Sequence, residues 1–97
     1  MMNVLTLEHF ATRVNDTFIS ANDGNAAFIL KEVCPLQSAT IEGMLRAPFS
    51  LLFHHSSPIL FNQKIFMLQH DALGEVGIFL VPVARDGQGF LYQAVFN

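Results

Sequence analysis

The sequence predicts a mainly β fold: a small antiparallel β-barrel or roll of about six strands with one short N-terminal helix. Three observations carry this reading. Turn-forming clusters of Gly, Asn, Asp, Ser and Pro recur at short, regular intervals between apolar runs. Only one stretch has helical periodicity, and it lies near the start. The last two runs are apolar on both faces, as strands packed on two sides are. The chain of 97 residues makes one domain, 1–97, long enough to bury a core without disulfides or metals.

The helix is read from Leu7, Phe10, Ala11 and Val14, which fall at i, i+3, i+4 and i+7. Thr6 is placed to cap it, and Leu5 and Phe10 are spaced for a hydrophobic staple. Glu8 and Arg13 suit the two ends of its dipole, and it should stop near Asn15-Asp16. Strands are expected over Thr17 to Ala21 and Ala26 to Val33, joined by Asn22-Asp23-Gly24-Asn25, whose residues tolerate the positive φ of tight turns. Cys34-Pro35 should end the second strand. Leu36 to Pro48 reads as a long loop that packs down through Ile41, Met44 and Leu45 and closes one end of the barrel. Strands follow over Phe49 to His55, Lys64 to His70, Glu75 to Val83 and Phe90 to Phe96. Ser56-Ser57-Pro58, Asp71 to Gly74 and Arg85 to Gly89 are the turns between them.

Alternation assigns the faces of the last two strands. Val76, Ile78 and Leu80 share one face of the fifth, opposite Phe79, Val81 and Val83. Phe90, Tyr92, Ala94 and Phe96 share one face of the sixth, opposite Leu91 and Val95. The barrel interior covers one set and the helix part of the other. What remains, Phe79, Val81, Leu91 and Val95, is a candidate partner surface.

Composition points the same way. The chain is 52% hydrophobic and only 13% charged, so little charge keeps it from other surfaces, and a protein partner or homo-oligomer is expected. The net charge is −3, and Arg13, Lys31, Arg46, Lys64 and Arg85 stand singly, with no basic stripe for nucleic acid. Cys34 is the one cysteine, ruling out an internal disulfide framework, and reads as a small buried hydrophobe. The start, MMNVLTLEHF, lacks the pattern of a signal peptide, and runs such as Ile78 to Ala84 are too short for a membrane-spanning helix. A cytoplasmic location is expected.

The chemically suggestive stretch is Phe49 to Gln63, FSLLFHHSSPILFNQ, with His70-Asp71 beyond it. His54 and His55 are adjacent on a strand and point to opposite faces, so they cannot both ligate one metal ion without a bend. Ser56 and Ser57 are not on a nucleophile elbow, and Asp71 lies at the far end of the next strand. His70 shares a face with Phe66 and Leu68 and reads as a partly buried histidine bonded to a carbonyl or carboxylate; Asp71 reads as a turn residue. No catalytic residues, cofactor or metal ligands are assigned.

The pieces LTLEHF, PFSLLFHH, LFNQKIFMLQHDALG, IFLVPV and YQAVFN resemble a family of small bacterial domains of unknown function. The resemblance covers most of the chain. Its specific parts are Gln63, His70, Gly74, Pro82 and Tyr92 to Asn97. The chain departs from it at Lys64, where glycine is usual, and at Phe66, where tyrosine is usual, so the turn after Gln63 is expected to differ. Such families are often encoded near phage-tail-collar-like proteins, which implies a role beside fibre or tail-like assemblies. The resemblance supplies no catalytic residues. The expected function is therefore a non-enzymatic protein-interaction or assembly module. Two alternatives are a small ligand-binding β-barrel with Leu36 to Pro48 as its lid and an enzyme using His70 or His54/His55.

Overall fold

The computed structural model describes residues 5–36 and 47–97. They form a helix, α1 (Leu7–Ala11), and six strands: β1 (Thr17–Ser20), β2 (Ala26–Pro35), β3 (Phe49–His55), β4 (Lys64–His70), β5 (Gly74–Asp86) and β6 (Gly89–Phe96). Every paired strand is antiparallel, and the sheet closes on itself in the order β1-β2-β3-β6-β5-β4. The ring is two three-stranded meanders, β1-β2-β3 and β4-β5-β6. A long β3–β6 seam and a short β1–β4 seam join them; the short one pairs only Ile19 with Gln69 and Ser20 with Leu68. β3 and β4 are consecutive but not neighbours. The link between them is held by the Phe61 N–H, which donates to Tyr92 Oη at 3.0 Å.

Alternation fills the ring. Phe18, Phe28, Leu30, Leu51, Phe53, Phe66, Leu68, Ile78, Leu80 and Tyr92 all point inward and are almost wholly buried. Phe28 meets Phe66 and Tyr92 edge-on at 5.2 and 5.4 Å, and Phe18 meets Phe53 edge-on at 5.3 Å, arrangements that aromatic quadrupoles favour. These side chains line the interior of the ring. Phe10 of α1 packs at one end against Phe18, Phe49 and Phe96, with centroids 5.9 to 6.4 Å apart.

The helix is shorter than its periodicity predicts. It ends at Ala11, and Ala11 and Val14 are exposed. Beyond it the Asn15 N–H donates to Leu30 O and the Leu30 N–H to Asp16 O, so this backbone docks on β2 instead of continuing the helix. At the other end His9 Nδ1 accepts the Thr6 N–H, satisfying a donor the first turn leaves free.

β2 runs on through Pro35, past its expected end, and Cys34 is exposed, not buried. The cause is a β-bulge: the β2–β3 register shifts between Leu30 and Glu32. The extra residue, Lys31, reverses the phase, so Val33 turns inward and Cys34 outward opposite Ser50. Leu36 N–H donates to Pro48 O and closes the base of the long link. Ile41, Met44 and Leu45, expected to pack the lid, lie outside the described residues.

Candidate functional site

His70, at the end of β4, is buried, and its ring lies tilted against that of Phe18, with centroids 4.5 Å apart. Its Nδ1 accepts the N–H groups of Ala72 and Leu73 at 3.0 and 3.1 Å, so the proton sits on Nε2. Nε2 in turn donates to Asp16 Oδ2 at 2.8 Å. The carboxylate beside His70 therefore belongs to Asp16, from the other meander, and not to the adjoining Asp71, which is exposed. One imidazole caps the β4–β5 turn and ties it to the segment before β1. Both ring nitrogens are hydrogen-bonded.

His54 and His55 take opposite faces of β3. His55 turns to the rim of the core, stacks on Phe28 at 5.1 Å and donates from Nδ1 to Ala27 O. His54 lies on the outer face but is buried, and its Nε2 sits 3.2 and 3.1 Å from the two oxygens of Asp86. Asp86 also accepts the Gln88 N–H. That bond first, and the His54 bond second, hold its carboxyl below the usual carboxylate range. Beside this pair an open groove of about 530 Å³ runs between Ser56-Ser57-Pro58 and the tip of the β5–β6 hairpin, Arg85 to Phe90. Ser, His and Asp thus come within one neighbourhood. His54 spends Nε2 on the aspartate, and Ser57 Oγ accepts the Ile59 N–H. Among the described residues no serine is hydrogen-bonded to a histidine, and no group of three or more His, Cys, Asp or Glu could hold a metal ion.

The larger feature is the outer face of β4, β5 and β6. Ile65 pairs with Phe79 and Met67 with Gly77 across β4–β5. Val81 pairs with Gln93 across β5–β6, which sets Val95 at the level of Phe79. Ile65 is 64% exposed, Phe79 50%, Val95 52% and Met67 37%. Of the four sequence-predicted contact residues, Phe79 and Val95 are open while Val81 and Leu91 are half-buried; Leu91 lies between His54 and Ala84. Ile65 and Met67 were not in the predicted set. Their signal was the alternation of β4, in which Phe66, Leu68 and His70 face inward and leave two apolar residues outside. The lane continues onto β3 through Ser50 and Leu52 and carries no charged side chain.

A family model described as a domain of unknown function (DUF6916) matches residues 5–96. No curated protein and no solved structure gives a match. No helix among the described residues is long and apolar enough to cross a membrane.

Proposed function

We propose, for a chain that belongs to the DUF6916 family of domains of unknown function, a non-enzymatic protein-interaction or assembly role. One observation carries the reading: Ile65, Met67, Phe79 and Val95 form an exposed apolar patch on adjoining strands, in a lane without charge. Single exposed apolar residues are ordinary, but a contiguous set on a rigid sheet loses its contact with water only when another surface covers it. The low charge content of the chain favours the same use. A bacterial setting beside phage-tail-like or fibre proteins belongs to the proposal and rests on the sequence resemblance alone; a cytoplasmic location belongs to it as well.

The variant Ile65→Lys/Phe79→Glu tests it. Both positions are at least half exposed, so the melting temperature should stay near that of the parent. Immobilised parent chain should retain protein, either its own copies or a second protein from its native source, and the variant should not. Equal retention by both chains, or none by either, would overturn the proposal.

A further inference from the structure

We infer that the occupant of the outer β4–β6 face is a second copy of this chain, docked face to face about a two-fold axis that crosses the strands at the level of Ile78. This rests on the interaction reading above and names its partner. A two-fold contact must be complementary to itself, in charge and in shape.

Charge comes first. Each copy carries a net −3, so two copies approach with least repulsion where no charge is displayed. The lane from Met67 and Ile65 across Gly77, Phe79, Gln93 and Val95 to Ser50 meets that requirement. The nearest acid on β5 is Glu75, which accepts a bond from Gln69 at the edge of the lane. An axis at Ile78 reverses β5 on β5, so Glu75 of each copy is set against Val81 of the other. It is carried toward the end of β4 where Lys64 lies, and away from the other Glu75.

Shape follows from two outward positions on β5. Phe79 projects and is half exposed, whereas Gly77, two residues away on the same face, has no side chain. The same axis lays Phe79 of one copy over Gly77 of the other. The neighbouring strand leans over this glycine: Met67 Sδ and Cε lie 3.1 and 3.5 Å, and Ile65 Cγ2 3.6 Å, from where a Gly77 Cβ would stand, so the incoming ring meets Met67 and Ile65 there. A flexible thioether adapts to an incoming aromatic ring. A glycine within a strand also lets another surface approach closely. Phe79 is thus a projecting ring, and the low, yielding surface of Met67 and Ile65 over Gly77 is its seat, each supplied twice by one symmetric contact.

Cross-linking in the full chain tests this register. In a Cys34→Ser background, which removes the exposed native thiol, Glu75→Cys/Val81→Cys should be joined by a short bis-maleimide into a covalent dimer. The two positions are six residues apart on one extended strand, so a short linker cannot join them within one copy. Each single-cysteine variant should give at least tenfold less dimer. Adding Phe79→Glu should abolish the cross-link while circular dichroism stays unchanged. A double variant no better than the singles would overturn the two-copy register. If the Ile65→Lys/Phe79→Glu substitutions still cost the parent chain its hold on a different protein, the interaction reading would stand without it.

Discussion

His70 is used twice, and its replacement should cost more than one bond. His70→Ala leaves the Ala72 and Leu73 N–H groups without their acceptor and Asp16 without its donor. About 2 kcal/mol of stability should be lost, read as a lower midpoint in urea denaturation. The sequence marked His70 as buried and bonded, because its strand face is apolar. It did not identify Asp16, since a partner 54 positions away is set by how the meanders close. Two other carboxylates set the acid response. Burial pulls Asp23 up, but bonds from Lys64 and Ser20 outweigh it and leave the group below its ordinary value. Asp86 is lowered by the Gln88 N–H and by His54. A carboxyl lowered by folding adds stability above its unfolded pKa and loses it as pH falls through the folded one. The melting temperature should thus fall below about pH 4 on this account. Asp23→Asn should lower it at pH 7 and flatten that acid decline.

The elements differ in how much of them local sequence decides. β4 and β6 follow their alternation, and the faces read from Val76 to Leu80 and from Phe90 to Phe96 are those the ring uses; in β5 a register shift between Pro82 and Ala84 makes Val83 an extra residue and breaks the face it was expected to share with Phe79 and Val81. β2 also departs from its alternation, because a bulge at Lys31 reverses its phase, and nothing in AAFILKEV announces an extra residue. Helix α1 is shorter than its spacing predicts for a related reason. Asn15 and Asp16 have a backbone partner in Leu30, and a strand edge overrode a helical spacing. The β5–β6 turn depends on one close approach. A Cβ on Gly89 would lie 2.2 Å from His55 O and 2.9 Å from Ser56 Cα, both backbone atoms. Gly89→Ala should therefore destabilise by about 3 kcal/mol or more, by forcing β6 and β3 apart at that end. Differential scanning calorimetry would show it. Phe28→Ala should cost about 3–5 kcal/mol, because its ring touches Phe66, Tyr92 and His55 and no neighbour can fill the void.

At the scale of the whole molecule, ten phenylalanines and a low charge content have two destinations. Phe18, Phe28, Phe53 and Phe66 fill the ring and make it rigid, and Phe10 and Phe49 pack at its end. Phe79 goes to the outside, on a sheet face that the rest of the described chain leaves open. The sequence showed that the last strands were apolar on both sides and so pointed to part of this face. Its extension onto β4 follows from ring closure, which sets Ile65 beside Phe79. The central claim is that this face is an association surface for a second copy of the chain. Sedimentation velocity over a range of concentrations tests it most directly. The parent chain should shift from monomer to dimer as concentration rises, and Phe79→Glu should move that transition at least tenfold higher with an unchanged fold. A parent chain that stays monomeric throughout, or a Phe79→Glu chain that dimerises as well as the parent, would contradict it.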